Sequence, residues 1–92
     1  MTITIYSKPN CVFCDKAKSM VKNLGFEYEE KMFGKDFNTP DELYEAVGKQ
    51  VRTMPQIIID DKHIGGYNEL VEHFVDKGLV NFKGEKINAD DK

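Results

Sequence analysis

The sequence predicts an α/β domain built on a four-stranded mixed β-sheet flanked by three helices. Three observations carry that expectation. Short β-branched or alternating runs occur near residues 1–6, 26–30, 56–59 and 62–64. Between and after them lie segments whose apolar residues repeat at helical spacing. A glycine closes each such segment, at Gly25, Gly48 and Gly78. The resulting order is β-α-β-α-β-β-α. The chain of 92 residues suits one domain, expected over 1–84, with 85–92 expected to be a disordered tail.

In residues 1–6, Ile3 and Ile5 share one face, while Thr2, Thr4 and Tyr6 take the other. Ser7-Lys8-Pro9-Asn10 has loop composition. Ala17, Met20, Val21 and Leu24 then form a helical stripe that ends at Gly25. Phe26 to Glu30 alternates again. A right-handed crossover makes this second strand parallel to the first. Lys31 to Pro40 reads as a loop with apolar anchors at Met32, Phe33 and Phe37. Thr39-Pro40-Asp41-Glu42 has the composition of a helix start, and Leu43, Ala46 and Val47 supply its buried stripe. Gln56 to Ile59 is apolar without alternation, the pattern of a central strand covered on both faces. Asp60-Asp61 turns the chain into Lys62-His63-Ile64 as a hairpin partner. Gly65-Gly66 precedes the last helix, whose stripe is Leu70, Val71, Phe74 and Val75.

Composition excludes several function classes. Thirteen basic and 16 acidic residues leave a formal charge of −3, against a nucleic-acid binder, which carries a basic excess. The longest apolar runs, such as Ile57–Ile59, are far short of a membrane span. The start MTITIYSKPN has no basic segment followed by an apolar one, so no signal peptide is expected. The two cysteines, Cys11 and Cys14, form one Cys-x-x-Cys, too few for a disulfide-stapled secreted module. A reducing compartment, the cytoplasm, is the expected location.

Three places carry chemistry. Cys11 and Cys14 sit where a strand leads into a helix, the redox context for such a pair. The thiolate is the nucleophile, and the positive end of a helix with its free N–H groups favours it. Cys11, at or before the first turn, is expected to attack a disulfide, and the deeper Cys14 to resolve the mixed disulfide. Lys8 adds a positive charge nearby. Asp15 acts in the opposite sense, partly offset by Lys16 and Lys18. The competing reading is structural zinc, which needs four ligands. His63 and His73, the remaining soft candidates, are ten residues apart and read better as surface or half-buried side chains. Pro55 opens a strand that is otherwise apolar, and the residues leave its peptide bond open between cis and trans. Gly65-Gly66 before a helix start either exposes N–H groups to a carboxylate or phosphate, or is a plain turn with Asn68 as N-cap.

Together, Tyr6-Ser7-Lys8-Pro9-Asn10-Cys11-Val12-Phe13-Cys14, Thr53-Met54-Pro55-Gln56 and His63-Ile64-Gly65-Gly66-Tyr67-Asn68-Glu69-Leu70 resemble the glutaredoxin family, over about residues 2–80. The Val between the cysteines is similar to phage-encoded glutaredoxins and to small redoxins that serve ribonucleotide reductase. Thioredoxins proper have a tryptophan before their cysteines, and this chain has none. The resemblance implies a thioredoxin fold and a glutathione-dependent thiol-disulfide oxidoreductase. It implies Cys11 as exposed nucleophile, Cys14 as resolving thiol and a cis Met54-Pro55 bond. It implies a glutathione site of Lys8, Phe13, Thr53, Met54, Gly66, Tyr67 and Asn68. Glutathione is then a co-substrate and no metal is needed. The implied partners are disulfide-containing client proteins, with ribonucleotide reductase a client by family analogy, and the implied state is a monomer. The chain departs from the pattern in having Phe13 where Tyr is frequent, Asn68-Glu69 where Asp is frequent, and a longer 31–40 connection. Two alternatives stay open: a redoxin recharged by thioredoxin reductase, and a carrier of a [2Fe-2S] cluster, although such carriers commonly have Cys-Gly-Phe-Ser.

Overall fold

The computed structural model describes residues 2–81. The expected boundary at 84 and the tail 85–92 lie outside the described residues. The elements are β1 (Ile3–Ser7), α1 (Val12–Asn23), β2 (Tyr28–Met32), α2 (Pro40–Val47), β3 (Gln56–Ile59), β4 (Lys62–Gly65) and α3 (Tyr67–Asp76). The sheet order is β2-β1-β3-β4. β1 runs parallel to β2, with Ile3 opposite Tyr28. It runs antiparallel to β3, with Ile5 opposite Ile57, and β3 pairs antiparallel with β4.

Side-chain alternation divides the core between the two faces of the sheet. Ile3, Ile5, Ile57 and Ile59 meet Ala17, Met20 and Val21 of α1 and Leu70, Val71 and Phe74 of α3. The opposite face carries Tyr6 and Ile58, packed with Phe37, Leu43 and Val47 of the loop and α2. β3 is therefore central, as its continuous apolar sequence requires. Among the described residues, no helix is long and apolar enough to cross a membrane.

Three local expectations need correction. β2 begins at Tyr28 rather than Phe26. After Gly25, at φ +85°, the Phe26 N–H donates to the Val21 carbonyl, and its ring stacks on Phe74 at 5.9 Å. Phe26 thus ends the helix by packing into the core. The shift of two residues preserves which side chains share a face. Met32, expected in the loop, closes β2. In α2, Ala46 is exposed, because an eight-residue helix touches the sheet through Leu43 and Val47, one turn apart. Its start follows the sequence closely. Thr39 is N-cap, its hydroxyl accepts the Glu42 N–H at 3.3 Å, and Glu42 Oε2 accepts the Thr39 N–H at 2.9 Å.

Candidate active site

The site lies where the C-terminal end of β1 runs into α1. Asn10 takes a left-handed φ of 58°, a conformation Asn tolerates better than most residues. The chain then enters α1 with Cys11 extended, at φ −114° and ψ 107°. Cys11 is itself the N-cap, and its sulfur accepts the Cys14 N–H at 3.2 Å. A sulfur thus does the work usually done by a Ser or Asp oxygen. Because it accepts an N–H at a helix N-terminus, negative charge on that sulfur is stabilised both locally and by the helix dipole.

Cys11 and Cys14 are joined as a disulfide. Both are buried, Cys11 at 9% and Cys14 at 1% relative exposure, so Cys11 is not the exposed residue expected of the nucleophile, although it is less covered than Cys14. The Cys11 sulfur lies 3.7 Å from the Met54 carbonyl oxygen. In the disulfide no S–H exists, so this is a contact. The reduced thiol has a proton to donate across the same gap. The Met54-Pro55 peptide bond is cis.

A cleft of about 180 Å³ beside the disulfide is lined by Phe13, Thr53, Met54, Pro55, Gly66, Tyr67, Asn68 and Glu69. Phe13, half exposed, reaches across it to Tyr67, ring centroids 5.8 Å apart. All the residues of the implied glutathione site except Lys8 therefore meet there. Lys8 lies on the other side of Thr53 and Met54, in an adjoining groove under α2. α3 begins with Gly66 as N-cap, not Asn68. Gly66 has no side chain to accept an N–H, so the first-turn amides of Tyr67 and Asn68 have no intrahelical partner. The Gly66 amide is different: it donates to Glu69 Oε1 at 2.7 Å. The glycine pair therefore does not leave all its N–H groups uncovered, since Glu69 reaches back over the turn and takes one.

Two supporting networks were not legible in the sequence. The buried Gln56 amide donates to the Thr53 carbonyl at 2.7 Å, which turns its oxygen toward His63 Nε2, also at 2.7 Å. That orientation makes His63 the Nε2–H donor and holds the Thr53 turn against β4. Burial lowers the His63 pKa, reinforced by Lys49 and opposed by Glu69. Between β2, β1 and α1, Glu30 accepts from Lys18 of α1 at 2.6 Å and from the buried Ser7 hydroxyl of β1 at 2.8 Å. Those hydrogen bonds outweigh partial burial and lower the Glu30 pKa, and the Glu30 hydrogen bond raises that of Lys18. Asp15 is exposed and pairs with Lys18 at 3.5 Å, while Lys16 sits over the Phe13 ring at 5.2 Å.

No group of three or more His, Cys, Asp or Glu that could hold a metal ion occurs among the described residues. His63 is engaged with Gln56, and His73 packs edge-on against Phe74.

The family model for glutaredoxin matches residues 3–64. A glutaredoxin of Haemophilus influenzae is 37% identical over 71 residues, covering 72% of this chain and 82% of that protein. A hybrid peroxiredoxin of the same organism is 38% identical over 73 residues, and there the match spans 79% of this chain but only 29% of the relative. Among solved structures, reduced Escherichia coli glutaredoxin aligns with TM-score 0.71 and 31% identity, covering 86% of this chain and 98% of that one. A buckwheat glutaredoxin–glutathione complex aligns with TM-score 0.68 and 28% identity, covering 84% and 71%. The Escherichia coli NrdH-redoxin, a glutaredoxin-like protein with a thioredoxin-like activity profile, aligns with TM-score 0.57 and 30% identity over 75% and 87%. With its dithiol at a helix N-terminus on a thioredoxin fold, the chain belongs to the glutaredoxin family and is a thiol-disulfide oxidoreductase.

Proposed function

We propose that this oxidoreductase is glutathione-dependent, reducing protein disulfides and glutathione mixed disulfides through Cys11 and Cys14. The observation that carries the reading is the cleft joining Phe13, Thr53 and Met54 to the start of α3, where the N-cap Gly66 has no side chain to accept the first-turn amides. An extended peptide laid along Met54 pairs with its backbone, and its carboxylate meets the Tyr67 and Asn68 amides at the positive end of the helix. Lys8, at the neighbouring edge, supplies a cation for a second carboxylate and for the Cys11 thiolate. The buckwheat glutaredoxin solved with glutathione supports the same use of this fold.

The Cys11 thiolate attacks one sulfur of the client disulfide, and the client's other sulfur leaves as a thiolate. The Cys14 thiolate then attacks Cys11, releasing the second client thiolate and closing the Cys11–Cys14 disulfide. Two electrons pass from the protein dithiol to the client. Two glutathione molecules restore the dithiol by the reverse exchange and leave as glutathione disulfide.

The test is turnover of a small glutathione mixed disulfide, coupled to glutathione, glutathione reductase and NADPH. Turnover is expected. Its absence, with the protein disulfide still reduced by thioredoxin reductase, selects the redoxin reading, which the NrdH-redoxin likeness favours. A monomer working in the reducing cytoplasm suits this chemistry, and ribonucleotide reductase is a client by family analogy alone.

A further inference from the structure

We infer that the groove beneath α2 is the docking site for a client protein's segment that carries a large apolar side chain beside an acidic one, next to the disulfide to be reduced. The inference rests on the dithiol chemistry above and names its client class. The groove measures about 280 Å³, at the lower edge of small-molecule sites (roughly 300–1,000 Å³). It suits one or two side chains of an extended peptide. Its floor is the buried pair Phe37 and Leu43, and Phe33 stands at its edge, 40% exposed. Phe33 is held there by its N–H bond to the Ser7 carbonyl at 2.9 Å and by edge-on packing against Phe37 at 5.4 Å.

Two observations choose the occupant. The first is continuity: Thr53 and Met54 line both this groove and the cleft beside Cys11. A chain whose disulfide reaches Cys11 passes Met54 and continues onto Phe33 and Leu43. The exposed large apolar residues among those described are Val12, Phe13 and Phe33. The first two lie between the cysteines, and the third lies in this groove. The second is charge: the groove's ionisable side chains are Lys8, Arg52 and Tyr44, with no carboxylate, in a chain of net charge −3. Such a local cationic rim around an apolar floor selects an acidic, apolar segment. The chemical step is the same thiol-disulfide exchange, with Cys11 bonding to a client sulfur and both electrons coming from the dithiol.

The experiment uses the full chain, reduced beforehand, in single-turnover exchange. Two synthetic disulfide peptides differ at adjacent positions, Phe-Asp in one and Ser-Asn in the other. A small glutathione mixed disulfide serves as the control. The Phe-Asp peptide is expected to react at least tenfold faster at limiting concentration. Phe33→Ser should reduce that preference to within twofold, and Arg52→Glu should remove the contribution of Asp and favour a Phe-Lys peptide. Phe33→Ser should keep the control rate within twofold. Equal rates for the two peptides, or a preference surviving both variants, overturn the inference. So does a concentration-dependent dimer abolished by Phe33→Ser, since the groove then serves a second copy. Failure of glutathione-coupled turnover counts against the glutathione reading alone, because single-turnover exchange needs no glutathione.

Discussion

Glu30 joins three parts of the site: the strand β2 that carries it, Lys18 on the dithiol helix, and Ser7 at the end of β1. Replacing it separates two contributions. The Lys18 and Glu30 side chains are 20% and 32% exposed, so solvent screens the pair, and its ionic part is worth about 1 kcal/mol. Ser7 is fully buried. Without Glu30 its hydroxyl keeps only a 3.8 Å contact with the Met32 sulfur, and a stranded buried hydroxyl costs about 1–2 kcal/mol more. Glu30→Gln keeps an acceptor for Ser7 and removes the charge, so it should cost about 1 kcal/mol, a fall in Tm of about 4–8 °C. Glu30→Ala should cost about 2–3 kcal/mol. The assay is urea unfolding of the oxidised proteins, with a Lys18→Met double-mutant cycle. Because folding lowers the Glu30 pKa from 4.5, its contribution is present above that value and lost as pH falls through the folded pKa. Because folding raises the Lys18 pKa from 10.5, its contribution is present below that value and lost as pH rises through the folded pKa. The wild type should therefore lose its advantage over Glu30→Gln at both extremes. Equal costs for Gln and Ala, or a coupling to Lys18 below about 0.3 kcal/mol, would refute the reasoning.

Other outcomes follow from the same geometry. Cys11→Ser should abolish all disulfide exchange, whereas Cys14→Ser should keep turnover of small glutathione mixed disulfides and lose reduction of protein disulfides; coupled assays on both substrates read this directly. Gly65→Ala should destabilise by about 1–3 kcal/mol, since Gly65 has φ +127° and an added Cβ meets Glu69 Cγ at 2.7 Å. It should also raise KM for the mixed disulfide by shifting Glu69 off the Gly66 amide, with thermal melts and steady-state kinetics as the measurements. The His63 pKa is lowered by burial from 6.5. Its neutral form is therefore favoured in the fold, with stability present above that value and lost as pH falls through the folded pKa. Burial lowers the His73 pKa in the same direction. His63→Gln should reduce, without abolishing, the fall in stability between about pH 7 and 5, and an unchanged slope in chemical denaturation counts against it.

Much of this was legible along the chain because the signals are local. The stripe Ala17, Met20, Val21 marks the buried face of α1, and Thr39-Pro40-Asp41-Glu42 encodes a cap closed by four consecutive residues. Alternation in Ile3-Thr4-Ile5 assigns faces however the sheet is ordered. Where the local pattern and the fold differ, a distant partner sets the outcome. Phe26 left the strand because Phe74 offered it a stacking surface. Ala46 lost its place in the core because α2 meets the sheet along only Leu43 and Val47. Asn68 is not the cap because Glu69 folds back onto Gly66.

Neighbouring residues alone encode the order of elements, the central position of β3 and the redox character of Cys11 and Cys14. Each is written in spacing and residue type over a few adjacent positions. Long-range packing brings Met54 to within 3.7 Å of the Cys11 sulfur. It also decided that Gln56 pins Thr53 to His63, and that Lys8 and Phe33 open onto a groove continuous with the dithiol cleft. These pairs are brought together by sheet register and helix packing. Such contacts depend on how the whole chain fills its core, and no short-range period records them.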